Sequence, residues 1–344
     1  RKYKVSEYLD WTRWEIAYLV AWALLVTTIL EFTGWKFLTL PAPVLAVVGT
    51  AVAIILAFKN QQCHARINEA LVLWGQINSA SMIWANKLTT TVGTLDPAQS
   101  APLMQALYYR HFAWLTALRF FLRERKTWEN TFEPGNAKYL AALPTPESQS
   151  VLKDELAKYL SDTELQQLLA HKGDKEGFIL RRQYETLGEL RQKGLIDEYI
   201  FVALTNLLDD IFRLQGAVKR LKSYPYARNY YSIAVILVKA FVGIVPFGLF
   251  PYAQDLGKSA GIEHWTVWLN IPFSVFVGWI CAPAEKATPE KPSVTSWPYV
   301  TKPLSLAMVA PLGRSRLNAA TCVRRLSPVI AWPATPSVTS RPSR

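Results

Sequence analysis

Four histidines (His64, His111, His171, His264) and three cysteines (Cys63, Cys281, Cys322) are the candidates for metal or nucleophilic chemistry. No histidine has a second one four residues away, and no CxxC pair occurs, so neither a metal site nor a disulfide framework is indicated. The adjacent carboxylates Asp197-Glu198 and Asp209-Asp210 point apart on a helix and read as solvated surface. The nucleophile elbow, the zincin pair, the phosphate-binding loop and the dinucleotide fingerprint are all missing. The expectation is no enzyme, no cofactor and no metal. What remains is passage rather than reaction. Thr50, Ile54 and Phe58 stand four apart and share one helix face, and several copies of such a face around an axis would line a narrow apolar pore. Packing against lipid or neighbouring helices is the plainer reading of the same spacing.

These three residues sit in a stretch that decides the architecture. Pro41 to Phe58 is eighteen residues without a charge, and as a helix it covers roughly 27 Å, close to the ~30 Å of a bilayer core. Lys59-Asn60 follows, then a polar helical pattern through Arg66, Glu69, Trp74, Gln76 and Asn78, with no Gly or Pro between Thr50 and Trp74 to force a break. One helix is expected to leave the membrane and continue into a water-exposed domain.

The wording of this junction, Ile54-Ile55-Leu56-Ala57-Phe58-Lys59-Asn60 followed by Ala65-Arg66-Ile67-Asn68-Glu69-Ala70 and Leu73-Trp74-Gly75-Gln76, resembles the bacterial branch of the bestrophin family. Tyr224-Pro225-Tyr226-Ala227 and Val245-Pro246-Phe247-Gly248-Leu249 fall where that family would have them, so the resemblance covers roughly residues 5 to 282. It implies an all-α membrane protein with four transmembrane helices and a helical cytoplasmic domain, assembled as a homopentameric channel. It also implies that Thr50, Ile54 and Phe58 form the membrane neck. Family members carry an apolar residue at the position of Thr50, so this neck is expected to be wetter and to open more easily. By the same resemblance Ile196, in Lys193-Gly194-Leu195-Ile196-Asp197, rings a cytoplasmic aperture; spacing alone reads it as core.

Composition agrees with a membrane protein. Of the residues 51% are hydrophobic and only 19% charged, against about 25% charged in soluble domains. The first span is Ile16 to Leu30, preceded by an amphipathic stretch in which Trp11 and Trp14 suit the headgroup level. A third span covers Tyr230 to Ala253, interrupted by Lys239 and Pro246, and a fourth Trp265 to Ala282. Lys239 is either part of an ion path or a snorkelling side chain. The domains are then 1–58, 59–229, 230–282 and 283–344. Within 59–229 the stripes Leu103, Leu107, Trp114, Leu118, Phe121 and Leu204, Leu207, Leu208, Ile211, Leu214, Val218, Leu221 mark buried helix faces. Glu133 to Asn136 and Pro144 to Pro146 mark loops, and Pro146 to Gly173 reads as two short helices.

Basic residues set the orientation. Arg1, Lys2, Lys4, Arg13, Lys59, Arg66, Lys219, Arg220, Lys222 and Arg228 lie on one side, against Lys36 and Lys258 on the other. The positive-inside rule places both termini and 59–229 in the cytoplasm, in the family's setting the bacterial inner (plasma) membrane. The formal charge of +12 gives no case for nucleic acid, because the Pro/Arg-rich segment 283–344 supplies +7 of it. That segment departs from the family's acidic continuation and reads as disordered or frame-shifted, which removes the basis for calcium gating. Arg1 in place of Met implies a lost start.

The expected function is passive flow of small monovalent ions, chloride as in animal bestrophins or cations as in bacterial relatives. The expected partners are the bilayer, the ions and further copies of the chain. The alternative from another class is a non-conducting membrane scaffold whose cytoplasmic helices bind a partner protein.

Overall fold

The computed structural model describes residues 5–124, 126, 146–224, 228–258 and 261–286. The expected loop at Glu133 to Asn136 and the tail from 287 onward lie outside them. Among the described residues the regular structure is helical throughout, with no strand. In order these are α1 (Val5–Thr33), α2 (Ala42–Thr91), α3 (Pro97–Arg123), α4 (Pro146–Gln149), α5 (Leu152–Leu156), α6 (Asp162–Ala170), α7 (Lys175–Gln192), α8 (Glu198–Ser223), α9 (Arg228–Lys258), α10 (Glu263–Thr266) and α11 (Asn270–Lys286). Segment 146–173 thus holds three short helices rather than two, because Ser161 caps α6 by accepting from the Glu164 N–H and starts a separate helix.

The described chain divides into two compact units. One takes in residues up to 67 and from 228 to 286, and the other 68–124 and 146–224; α2 contributes to both.

In the first unit, α1, α9 and α11 pack on one another. Three helices among the described residues are long and apolar enough to cross a membrane: Thr12–Thr33, the helix Ala42–Thr94 and Ser232–Lys258. The fourth expected span, Trp265 to Ala282, falls on α10 and α11, of which α11 has 17 residues, and is not among these three. Polar groups tie these helices together where apolar contacts alone would leave register open. The Asn270 amide donates to Thr27 Oγ1 at 2.9 Å and to the Pro246 carbonyl at 3.1 Å, and accepts from Ser274 at 3.2 Å. Trp22 donates to the Gly243 carbonyl at 3.1 Å and Trp279 to Thr12 at 3.0 Å. Two prolines, Pro246 and Pro251, lie within α9. Pro251 has no N–H to give the Phe247 carbonyl, and the Leu40 N–H satisfies that oxygen instead, at 3.3 Å.

The second unit is organised around α3, α7 and α8, with the later part of α2. Its centre is aromatic: Trp74, Trp84, Tyr108 and Trp114 are fully buried beside Leu107, Leu118, Leu204, Leu208 and Ile211. Both expected stripes are therefore core faces, with Leu103, Phe121 and Leu214 at their partly buried margins.

Candidate functional site

The membrane half of α2 is apolar at nearly every azimuth, and among the described residues one face of it is packed on a neighbouring helix. Val52 and Leu56 are buried against Val238, Phe241 and Val245 of α9. The fit is close: a Cβ on Gly49 would stand 3.1 Å from the Phe241 ring. The opposite face carries Val47, Thr50, Ile54 and Phe58, all exposed, with Ile54 at 52% and Phe58 at 65%. The three residues singled out by spacing thus share one uncovered face in the single chain. Thr50 is less polar than its type suggests, because its hydroxyl donates to the Ala46 carbonyl of its own helix at 2.8 Å. An apolar ridge of this kind is satisfied by hydrocarbon or by copies of itself around an axis. Lys239 lies exposed on α9.

Ile196 is placed elsewhere, in the core of the second unit, at 5% exposure. Its segment has a full local explanation. Gly194 takes φ +66° and closes α7 in a Schellman arrangement: Leu195 N–H donates to the Leu190 carbonyl at 3.0 Å and Gly194 N–H to the Arg191 carbonyl at 2.9 Å. Asp197 then caps α8 by accepting from the Ile200 N–H at 2.7 Å. Ile196 stands just before that cap, the position from which a hydrophobic staple packs on the first turns of the helix. Within the single chain its side chain belongs to this core. Ile196→Ala is expected to lower stability by about 2–5 kcal/mol. Thermal melts check it; a variant that melts with the wild type would contradict its place in the core.

A charge cluster in the second unit, with Glu176 buried, Lys219 half-buried and Asp174 exposed, has no counterpart in the sequence pattern. Lys219 of α8 donates to Asp174 Oδ1 at 2.7 Å and to Glu176 Oε2 at 2.9 Å, at the start of α7. Gln215 bridges onward, donating to Asp174 Oδ2 at 3.0 Å and accepting from Trp114 Nε1 at 2.6 Å. Burial, then the neighbouring Asp174, pushes the Glu176 carboxyl up to about 7. The Asp174 carboxyl is held below the usual carboxylate range: burial opposes this, but hydrogen bonds with Glu176, Lys219 and the Gly177 N–H outweigh it. The only sequence signal for the cluster is Asp-x-Glu before a helix, which equally marks an ordinary N-terminus.

A raised carboxyl pKa stabilises the fold fully below its unfolded value, about 4.5, and that stabilisation is lost as pH climbs towards 7. His111, fully buried among Ser81, Trp84 and Trp114, acts oppositely: burial lowers it to about 3, so its contribution is present above 6.5 and lost as pH falls. A comparison at each pH isolates the glutamate. Glu176→Gln is expected to melt furthest above the wild type at pH 8, by less at pH 5.5, and level with it at pH 4. Melting curves at these values test this, and equal melting at pH 8 would show that Glu176 is not held against its charge.

Comparison with known proteins gives a consistent picture. The family model described as Bacterial/Fungal Bestrophin protein matches residues 9–258. The chain is 27% identical over 216 residues to a curated relative from Escherichia coli K12, the voltage-dependent anion channel-forming protein YneE, and equally to its Salmonella typhi counterpart. Those matches cover 63% of this chain, and the chain spans about 60% of the length of the curated relatives it matches. Among solved structures, a variant of a bacterial bestrophin homologue from Klebsiella pneumoniae superposes with a TM-score of 0.61 at 17% identity, covering 93% of this chain and 99% of that one. Another crystal structure of a bacterial bestrophin homologue from Klebsiella pneumoniae gives 0.61 at 19% identity, with coverages of 91% and 96%. At these identities the superpositions establish the fold.

Proposed function

Because the chain belongs to the bacterial/fungal bestrophin family, we propose that it is an ion channel of five identical subunits that passes small monovalent ions down their gradient. Five copies of α2 turn Thr50, Ile54 and Phe58 towards a common axis and form an apolar neck there. The observation that carries this is the exposed ridge on α2: one side of that helix is buried against α9, and the other has no partner among the described residues. Ions cross such a neck only when it is wetted, since an ion stripped of water in apolar surroundings is held at high energy. The internally bonded hydroxyl of Thr50 still offers lone pairs to water, so the outer ring wets more readily than an aliphatic one. In this reading the protein sits in the bacterial inner membrane through four spans, α11 being part of the fourth, with both termini and 59–229 in the cytoplasm, which the basic residues near the span ends support. By the family resemblance Ile196 belongs to the cytoplasmic aperture of the same conduit, an assignment that liposome flux from Ile196→Ala tests.

The sign of the ion has two supports that differ: the curated relatives are named for anion passage, whereas likeness to bacterial bestrophins favours cations. The reversal potential of the purified protein in asymmetric NaCl decides between them. A single-subunit mass near 38.9 kDa in detergent, together with no flux from liposomes, would overturn the channel and leave the membrane scaffold standing.

A further inference from the structure

The face that carries the neck does not end at Phe58. Continuing at helical spacing it reaches Gln61 and Ala65, both exposed, so that Val47, Thr50, Ile54, Phe58, Gln61 and Ala65 form one uncovered line along α2. None of these six is ionisable; His64 stands exposed on the flank, and Glu69, one step beyond Ala65, lies 3.9 Å from Arg220. The nearby cations lie on the other side of the helix: Lys59 is 3% exposed and follows Val52 and Leu56 on the packed face. Cys63, on that same face, is buried, and both Lys59 and Arg66 act on it electrostatically. Gln61 is therefore the first polar side chain met beyond the apolar rings, and Ala65, one turn further, leaves room around it.

We propose that Gln61 forms the first polar collar beyond the neck, takes the emerging ion on its side-chain amide and sets the ratio of cation to anion passage. The inference rests on the pore reading given above. Its chemistry follows from the amide itself: the carbonyl oxygen accepts and solvates a cation, and the NH2 donates and solvates an anion. A ring of such groups helps either ion to regain ligands after an apolar constriction and carries no net charge with which to refuse one of them. Discrimination by sign in the unmodified protein is accordingly weak, and a charge placed at this one position redirects it.

The experiment uses the full-length protein in planar bilayers under a NaCl gradient. The wild type is expected to pass Na+ and Cl− within roughly threefold of each other. Gln61→Glu is expected to move the ratio roughly tenfold towards Na+, and Gln61→Lys by a similar factor towards Cl−. Gln62→Glu, exposed on the flank of the line, is expected to move it much less. Conduction that responds to Ile54→Ala, with a ratio that neither charge at Gln61 alters, overturns the collar and leaves the channel intact. Equal shifts from positions 61 and 62 also overturn it, since a general surface potential would then explain the effect. Absence of flux from both the wild type and Ile54→Ala removes the channel and the collar together.

Discussion

Ile54→Ala raises ion flux through the reconstituted protein by roughly tenfold or more, and Phe58→Ala does the same. The barrier in an apolar neck is the free energy of holding an ion with too little water, and every 1.4 kcal/mol removed from it is a tenfold gain in rate. Cutting a ring of five branched side chains back to methyl groups widens the constriction and lets water remain. The folded chain tolerates the change, because Ile54 is 52% exposed and touches no core that would collapse around it. Phe241→Ala is the matching control. It removes the ring that packs against Gly49, Val52 and Leu56 on the other side of the helix, so it is expected to destabilise without opening. Tracer or fluorescence-quench flux from liposomes reads both. If alanine at Ile54 and at Phe58 leaves flux at the wild-type value, the ridge faces lipid.

Trp114→Ala lowers the stability of the second unit by about 3–5 kcal/mol. At this size that is a drop of roughly 10 °C or more in melting temperature. The indole is fully buried, lies 5.1 Å from the His111 ring and donates to Gln215. Its loss opens a cavity and leaves the Gln215 oxygen without that donor, which disturbs the amide that steadies Asp174. Trp114→Phe keeps most of the volume and loses the N–H, so it is expected to fall between wild type and alanine. Melting followed by tryptophan-independent circular dichroism measures the series. A Trp114→Ala protein that melts with the wild type would contradict the central place given to this side chain.

Local regularities were legible in the sequence, and contacts between distant residues were not. The uncharged run before Phe58, the unbroken pattern after it and the leucine stripes at 103–121 and 204–221 all reflect helical period, which neighbouring residues carry among themselves. The same period put Thr50, Ile54 and Phe58 on one face. Whether that face meets lipid or four more copies depends on molecules outside the chain, so no reading of one subunit contains it. The Asp174–Glu176–Lys219 cluster joins positions more than forty residues apart, and Asn270 finds Thr27 across 243; nothing in either local stretch announces its partner. Ile196 shows the reverse case. Its neighbours Gly194 and Asp197 are a helix stop and a helix start, roles legible from residue type alone.

The amide of Asn270 has a mechanical consequence. It is fully buried between α1, α9 and α11 and bonded to a group from each. Sliding any one of these helices by a turn, about 5.4 Å, would strand that amide in hydrocarbon at a cost of a few kcal/mol. The trio is thereby pinned in one notch, as a key is by its teeth, and behaves as a stator. On the pore reading proposed above, the motion that widens the conduit comes from α2 turning or tilting against that block, or from neighbouring blocks moving apart.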